Sequence, residues 1–198
     1  LRDAMISASH ALSNVKEAVD ALNVFPVPDG DTGINMALTL NAAAKELAKM
    51  NNPTLGKALE VSSSAVLRGA RGNSGVITSL LFRGIAKGMK DVSTADGGNL
   101  ANGLTEGVAA AYKAVLKPAE GTILTVSRIA AEAAVKAAKE DRDCATVLMA
   151  AIEAGKVALE NTIEQNPVLK KAGVVDAGGF GFIVLLEGMY TALTGQTG

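Results

Sequence analysis

The chain has 198 residues, which is enough to bury the core of one ordinary domain, and we expect a single domain. Its 19 basic and 20 acidic residues leave a net charge of -1, which excludes a general electrostatic attraction to nucleic acid or to an anionic membrane. Hydrophobic residues make up 48% and aromatic residues only 3%, so the core must be built from aliphatic side chains, which favours closely packed helices.

Apolar residues recur at helical spacing along the chain. This periodicity predicts eight helices, over residues 2–22, 34–51, 54–70, 74–89, 99–117, 122–140, 144–165 and 177–194. Capping residues support three of the starts, at Pro53-Thr54, Asn73-Ser74 and Asp176. Helices of similar length with short connections pack as antiparallel neighbours, so their ends gather at two rims. We therefore predict an all-α fold, an eight-helix antiparallel bundle or barrel.

Several features concern where the protein works. The single cysteine, Cys144, cannot form an internal disulfide, and we expect a cytoplasmic protein. Charge interrupts the longest apolar runs, such as residues 177–186, so we expect no membrane span, and no signal segment opens the chain. The first residue is Leu rather than Met, so we expect the chain to be part of a longer polypeptide or of a multi-subunit protein.

The loop NVFPVPDGDTG, residues 23–33, carries two carboxylates two positions apart. Prolines and glycines exclude regular helix there, and Gly30 lets Asp29 and Asp31 converge. Convergence is electrostatically unfavourable unless a cation lies between the carboxylates. Magnesium prefers such oxygen ligands together with water and phosphate, and Asn23 could add a carbonyl oxygen. The alternatives are an ordinary Asx turn, which Asp-Gly-Asp alone would favour, and calcium, although the EF-hand spacing is missing.

Three further loops rich in glycine each precede a predicted helix. They are RGARGNSG at residues 68–75, KPAEGT at 117–122 and VDAGGF at 175–180. Backbone N–H groups at a helix start, with a hydroxyl or a guanidinium nearby, can hold an anion. Each loop alone is ordinary capping chemistry, but four such loops in one helical chain indicate a phosphate site.

Other signatures argue against familiar alternatives. The chain has no G-x-x-x-x-G-K-[ST] P-loop and no G-x-G-x-x-G segment after a strand, so the nucleotide-binding α/β folds are poorly supported. His10, the single histidine, is interpreted as a packing or surface residue. Cys144 follows Asp141, Arg142 and Asp143, which resemble a solvated helix start, and it has no evident metal or nucleophile partner.

The motifs NVFPVPDGDTGINM, RGARGNSGV, EGTILTV and VDAGG, in this order, resemble the ATP-binding, DhaL-like domain of dihydroxyacetone kinases, and most closely the amino-terminal domain of bacterial fatty acid kinases. The resemblance covers nearly the whole chain. It implies a barrel of eight antiparallel helices with a nucleotide, ATP or ADP, and two magnesium ions at one rim. The dihydroxyacetone kinase pattern has an Asp before the aspartate pair and a His after it. Here Asn23 and Thr32 stand nearest to those positions, a departure that favours the fatty acid kinase branch.

The resemblance also implies roles for individual residues. Asp29 and Asp31 would bind the metal, with Asn23 as the candidate third ligand, and Arg71 would act with both aspartates in catalysis. The implied nucleotide contacts are Thr32, Gly33, Asn35, Thr39, Gly72, Asn73, Ser74, Gly75, Gly121, Thr122, Asp176, Ala177, Gly178 and Gly179.

The function implied by the resemblance is phosphoryl transfer from Mg-ATP. We expect the acceptor to be a fatty acid presented by a lipid-binding partner protein. The alternative within the family is the nucleotide-binding subunit of a dihydroxyacetone kinase, whose substrate is held by a separate component. An alternative from another class is a regulatory domain that holds ADP without catalysis. A homodimer is a further expectation, and we expect no nucleic-acid partner.

Overall fold

The computed structural model of the chain describes residues 2–26, 28, 30–51, 55–88 and 96–195. These residues form helices and no strands, which confirms the all-α class. The eight long helices are α1 (Arg2–Leu22), α2 (Thr32–Ala48), α3 (Leu55–Gly69), α4 (Gly72–Gly88), α5 (Gly97–Ala114), α6 (Ile123–Glu140), α7 (Cys144–Gln165) and α9 (Ala177–Thr194). A short helix, α8 (Pro167–Ala172), was not predicted.

Three helices begin two residues earlier than predicted, namely α2, α4 and α5. In each case the first turn contains glycine, which we expected to lie outside the helix. The prediction that Asn73-Ser74 caps α4 is therefore wrong, because both residues lie within the first turn. Asp176 is confirmed as the N-cap of α9, where its carboxylate accepts the N–H of Gly179. The predicted start at Pro53-Thr54 lies outside the described residues.

The long helices form a closed ring in chain order. Each helix from α1 to α7 contacts the next, α7 contacts α9, and α9 contacts α1. Neighbours run antiparallel: Gly84 and Gly88 of α4 lie against Gly107 and Gly103 of α5, respectively. The carbonyl of Gly188 in α9 likewise accepts a hydrogen bond from Ser7, near the start of α1. The starts of α2, α4, α6 and α9 are consequently at the same rim.

Helix α9 is the most deeply packed element of the ring. It contacts α1, α2, α6 and α7, and Phe182 and Leu186 are among its fully buried side chains. By length and composition α9 could cross a membrane, because Glu187 is its only charged residue, but 56% of it is buried inside the bundle. Glu187 interrupts the apolar run at residues 177–186 as expected, and the absence of a membrane span stays a prediction. The burial of α9 is that of a core helix, and the cytoplasmic location stays a prediction.

Glycines let α4 and α5 pack at backbone contact. A Cβ atom on Gly84 would lie 2.2 Å from the Cα of Gly107, and a Cβ atom on Gly88 would lie 2.5 Å from the Cα of Gly103. Both distances are far below van der Waals contact, and the opposing atoms belong to the backbone, so no side chain can turn aside. The two helices can keep this separation only while these positions lack side chains.

We predict that Gly84→Ala destabilises the protein by about 1–3 kcal/mol, because the overpacking cost exceeds the helix-propensity gain of alanine, about 1 kcal/mol. Chemical denaturation measures the free energy of unfolding. Asn102→Ala, at an exposed position of α5, is the control and should change it by less than about 0.5 kcal/mol. Equal stability of Gly84→Ala and the wild type would contradict this account of the α4–α5 contact.

Candidate functional site at the rim of the helical ring

The start of α2 carries the aspartate loop. Asp31 is the N-cap residue of α2, yet its side chain makes no capping hydrogen bond. Asn23 is buried, and its Oδ1 accepts the backbone N–H groups of Asp31 and Thr32 at 3.1 and 3.2 Å. Asn23 therefore holds the loop against the helix in this structure, and its role as a metal ligand stays a prediction. Asp29 lies outside the described residues.

Asp20, near the end of α1, is a residue that the sequence reasoning missed. Its Oδ1 accepts the N–H of Gly33 at 2.7 Å and the N–H of Ile34 at 3.1 Å. Together with the bonds to Asn23, these contacts occupy the backbone N–H groups of residues 31–34. The first turn of α2 therefore has no N–H group left for a phosphate, and Thr32 and Gly33 could meet a nucleotide only through their other atoms.

The start of α4 lies directly against α2. Gly72 has φ +64°, and a Cβ atom there would lie 2.6 Å from Asn35 Nδ2. The hydroxyl of Thr39 donates to the carbonyl of Asn35 at 2.7 Å and accepts the N–H of Arg71 at 3.3 Å. A Cβ atom on Gly75 would lie 2.6 Å from the same hydroxyl oxygen. The structure thus brings together five residues that the sequence reasoning assigned to one nucleotide site.

The first turn of α4 differs from that of α2. Gly75 makes the first helical hydrogen bond, to the carbonyl of Arg71 at 3.0 Å. The N–H groups of Gly72, Asn73 and Ser74 have no acceptor among the residues that the structure describes, and residues 71–73 are exposed. Because these donors lie at the positive end of a helix dipole and directly follow the exposed Arg71 in the chain, this turn can bind an anion.

The starts of α6 and α9 form the other half of the rim. Thr122 is the N-cap of α6, and its hydroxyl accepts the N–H of Leu124 at 3.3 Å. Gly121 has φ +77° and packs against the end of α7, where a Cβ atom would lie 2.9 Å from Gln165 Cβ. A Cβ atom on Gly178 would lie 3.3 Å from Ile123 Cβ, so the two helix starts are in contact.

Asp176 joins these helices. Its carboxylate accepts the N–H of Gly179 at 2.9 Å and the N–H of Ile123, while its own N–H donates to Thr162 Oγ1 of α7 at 3.1 Å. The side chain is buried, and burial raises its pKa to about 6 although both hydrogen bonds act to lower it. The sequence reasoning placed Asp176 at the nucleotide. In the structure its carboxylate accepts protein N–H groups, and its role at the nucleotide stays a prediction. The N–H groups of Ala177 and Gly178 have no acceptor in the described part of the chain.

The two halves of the rim meet through α2 and α9. A Cβ atom on Gly181, one turn into α9, would lie 2.8 Å from Met36 Sδ, one turn into α2. All four sequence-predicted loops are therefore at one rim, as the antiparallel prediction required.

A second network that sequence reasoning missed braces the loop before α6. Glu120 accepts hydrogen bonds from Thr125 and Arg128, and Arg128 also donates to the hydroxyl of Tyr112 at 3.2 Å. The hydrogen bond from the Thr125 hydroxyl lowers the pKa of Glu120, and Arg128 lowers it further. Burial acts in the opposite direction, but the pKa stays below its ordinary value. These contacts fix the loop that carries Gly121 and Thr122.

His10 and Cys144 are the remaining candidates, and their surroundings do not favour nucleophilic or metal chemistry. His10 is exposed on α1. Burial, and secondarily Asp143, raises the pKa of the Cys144 thiol, which disfavours the reactive thiolate. No group of three His, Cys, Asp or Glu side chains in the described ranges is arranged to hold a metal ion. A metal site that includes Asp31 would therefore need further ligands beyond the His, Cys, Asp and Glu side chains of the described residues, and Asp29 stays the predicted one.

Comparison with known proteins gives a consistent result. The family model of the DAK2 domain matches residues 26–191. Protein YloV of Bacillus subtilis is 45% identical over 193 residues, which are 98% of this chain and 35% of that protein. An uncharacterized protein of Staphylococcus haemolyticus is 46% identical over 195 residues, again 98% of this chain and 35% of that protein. The chain spans about a third of the length of these curated relatives.

The fold is similar to that of the dihydroxyacetone kinase from C. freundii, whose crystal structure was determined in complex with AMP-PNP and Mg2+. The TM-score is 0.71 over 96% of this chain and 33% of that chain, at 20% sequence identity. At this identity the likeness establishes a shared fold, and it confirms the predicted DhaL-like helical architecture.

We predict that Asp176→Asn changes how stability depends on pH. Asp176 has a raised pKa in the folded protein, so between pH 4 and 6 the unfolded chain releases a proton that the folded chain retains. The stabilising contribution of Asp176 is therefore fully present below about pH 4 and is lost as the pH rises through about 6. A shift of about 2 pH units corresponds to about 3 kcal/mol.

The stability of Asp176→Asn relative to wild type should accordingly increase by about 3 kcal/mol between pH 4 and pH 7. Urea denaturation at several pH values measures this difference, in which the titration of all other carboxylates cancels. Parallel stability curves for the two proteins would contradict the burial of an ionisable Asp176.

Proposed function

Because the chain belongs to the DAK2 domain family, we propose that it is the nucleotide-binding domain of a kinase that transfers the γ-phosphoryl group of Mg-ATP to an acceptor presented by a partner. The family match and the DhaL-like fold support a nucleotide-binding role like that of the corresponding domain in dihydroxyacetone kinases. The nature of the acceptor, the count of two magnesium ions and the residue roles below are part of the proposal.

The first turn of α4 is the observation that carries the proposal. It offers the N–H groups of Gly72, Asn73 and Ser74, which have no acceptor among the described residues, next to the exposed Arg71. Gly72 lets the start of α4 lie against Asn35 of α2, because a Cβ atom there would lie 2.6 Å from Asn35 Nδ2. We assign this turn to the phosphates of the nucleotide, with Arg71 as the charge that stabilises the transferring group. Thr39 and Gly75 position the turn against α2.

The aspartate loop fits a divalent cation. Asp31 stands at the rim, two turns of α2 away from Thr39, and its carboxylate does not cap its own helix. We propose that Asp31, together with Asp29, binds magnesium, which when bound neutralises charge on the β- and γ-phosphates. Asn23 Oδ1 accepts two backbone N–H groups. We therefore assign Asn23 to holding the loop in place rather than to binding the metal directly.

The starts of α6 and α9 would form the remaining wall of the nucleotide site. The N–H groups of Ala177 and Gly178 point to contacts through the backbone, and Gly121 and Thr122 lie beside them. Asp176 and Gly179 would support this wall without contacting the nucleotide through the atoms that they share in a hydrogen bond, because that bond fixes the start of α9.

For the acceptor we propose a fatty acid presented by a lipid-binding partner, based on the Asn-Val-Phe-Pro-Val-Pro sequence before the aspartates. The alternative is dihydroxyacetone on a separate substrate-binding subunit, which the likeness to the C. freundii enzyme favours. A regulatory domain that holds ADP without catalysis is the alternative from another class. A homodimer remains a prediction.

The acceptor is tested by supplying radiolabelled ATP and magnesium together with either a fatty acid on its carrier or dihydroxyacetone on its binding subunit. The test should use the longest natural polypeptide that contains the chain. Transfer to the fatty acid alone supports the first acceptor, and transfer to dihydroxyacetone alone overturns it. Tight ADP that does not exchange, with transfer to neither acceptor, would favour the regulatory alternative.

We predict that Asp29→Asn and Asp31→Asn each abolish the magnesium dependence of nucleotide binding and severely reduce phosphoryl transfer, because the amide lacks the charge that binds a hard cation. The unliganded variants should melt at or above the wild-type temperature, since like charges are removed. Calorimetry with magnesium and with excess chelator measures binding. Asp3→Asn, an exposed change at the start of α1 and hence at the other rim, is the control. Normal transfer by both rim variants would remove these aspartates from the mechanism.

A milder effect is expected at Ser74. Loss of one neutral hydrogen bond to phosphate in Ser74→Ala should raise the dissociation constant of Mg-ADP about fivefold, or about 1 kcal/mol. Ser64→Ala, at an exposed position on α3, should leave it unchanged. An unchanged constant in both variants would mean that the Ser74 hydroxyl faces away from the ligand.

A further inference from the structure

One side of α2 carries an apolar stripe that is only partly covered. Ile34, Leu38 and Ala42 follow one another at intervals of four residues and therefore lie along the same side of the helix. The end of α3 covers the last of them, because a Cβ atom on Gly69 would lie 2.5 Å from Ala42 Cβ. Ile34 and Leu38 lie beyond that contact, toward the rim, and are 43% and 48% exposed. We refer to these two residues as the uncovered stripe.

The uncovered stripe lies beside the turn that we assign to phosphate. The residues that follow its two members in the chain are Asn35 and Thr39, which lie against Gly72 and Gly75 of α4. The stripe therefore occupies the side of α2 next to the one that meets the start of α4. A protein that packed against the stripe would be placed within reach of the first turn of α4.

Further exposed apolar residues flank the same turn. Leu67 lies in the last turn of α3, and Val76 lies one turn after Gly72 in α4. Together with the uncovered stripe they are four of the eight large hydrophobic residues that are exposed in the described part of the chain. Single exposed apolar residues are ordinary, whereas their concentration around one turn is typical of an interaction surface.

Positive charge accompanies these apolar residues. Arg68, at the end of α3, and Arg71, in the link to α4, are both exposed. Complementary charge steers partners toward a surface and sets their orientation. This face consequently suits a partner that is apolar where it touches the stripe and presents an anionic group toward α4, such as the carboxylate of a fatty acid.

The ends of the described chain lie away from this face. The chain enters the ring at Arg2 and leaves it at Gly195, and the hydrogen bond between Ser7 and the carbonyl of Gly188 places both at the opposite rim. The 18 residues of α9 correspond to about 27 Å at 1.5 Å per residue. A segment attached at either end would have to cross this length to reach the uncovered stripe, so the position favours a separate partner that arrives at the nucleotide rim.

We propose that the uncovered stripe, with Leu67 and Val76, is the docking surface for a fatty-acid-binding partner protein. A protein that presents a fatty acid must open the mouth of an apolar pocket at its own surface, and apolar surface around that mouth is removed from water when it packs against exposed aliphatic side chains. The lipid-binding nature of the partner rests on the proposed function. Docking at the stripe is measured without phosphoryl transfer.

The first test is protection of an introduced thiol in the longest natural polypeptide that contains the chain. Leu38→Cys should react freely with a thiol reagent in the polypeptide alone, and mass spectrometry reports labelling at that position. A purified fatty-acid-binding protein of the same organism, loaded with oleic acid, should protect it. Val157→Cys, at an exposed apolar position on α7, is the matched control and should react equally with and without the partner.

Three results of this test would overturn the proposal. Absence of protection at Leu38→Cys, or equal protection at Val157→Cys, would mean that the partner does not dock at the stripe. A Leu38→Cys thiol that is unreactive before the partner is added would mean that the polypeptide itself or a second copy covers it. Protection by a dihydroxyacetone-binding subunit, and not by the fatty-acid-binding protein, would contradict the lipid-binding partner.

The second test separates docking from the nucleotide site. The double variant Ile34→Gln/Leu38→Gln removes apolar surface without adding charge, and glutamine is compatible with a helix. It should raise the KM for the loaded partner on the order of tenfold, while kcat at saturating partner stays at the wild-type value. The affinity for Mg-ADP, measured by calorimetry, should also stay unchanged. Val157→Gln is the control and should alter none of these quantities.

An unchanged KM in the double variant would overturn the docking surface, and so would a loss of Mg-ADP affinity, because the stripe would then support the nucleotide site instead. A wild-type protein that binds no Mg-ADP would overturn the proposed function. The thiol-protection test would still decide, in that case, whether the partner docks at the uncovered stripe.

Discussion

Alternation of helix direction around a closed ring is the constraint on which the site depends. Because α2, α4, α6 and α9 run in the same sense, their amino-terminal ends gather at one rim. The short helix α8 does not disturb this order, since it lies between the end of α7 and the start of α9, where Asp176 N–H donates to Thr162. Four positive helix ends are thereby concentrated in a chain whose net charge is -1.

The four helix ends are not equivalent, because the N–H groups of their first turns have different hydrogen-bond acceptors. At α2 the acceptors are side chains of the protein, Asp20 and Asn23. At α9 a buried carboxylate takes one N–H group and also one from α6. The first turn of α4 has no such acceptor within the described ranges, and Arg71 stands beside it. Among the described residues, N–H groups without an acceptor therefore lie at the starts of α4 and α9, whereas α2 contributes acidic side chains to the rim.

The helical architecture could be predicted from the sequence because apolar residues repeat at helical spacing over long segments. The bounds of α1, α7 and α9 agree with prediction, whereas glycine at the starts of α2, α4 and α5 misled the boundaries. The helix α8 was missed because six residues after Asn166 are too few to establish a period. The grouping of the four loops followed from the antiparallel order once the helices were assigned.

The supporting contacts of the site could not be predicted in the same way. The hydrogen bonds from Asp20 to the start of α2 span 13 and 14 residues and depend on the close approach at Gly33, which no local pattern encodes. The sequence marked Asp176 correctly as a cap, but its contact with Ile123 is tertiary, and that contact gives the residue a bracing role. Patterns of residue type therefore identify the loops, whereas the partners of each polar group require the packed structure.

Asp176 lowers the stability of the folded protein near neutral pH, yet it fixes the positions of two helix starts. Burial opposes its negative charge and raises its pKa to about 6, so near neutral pH the folded protein carries a carboxylate that destabilises it. The same carboxylate holds the starts of α6 and α9 together through two N–H groups. An uncharged apolar residue would avoid the cost of burial but would leave both N–H groups unpaired. The aspartate at position 176 is thus explained by the positions in which it holds the starts of α6 and α9. The stability of the ring alone would not require a buried carboxylate there.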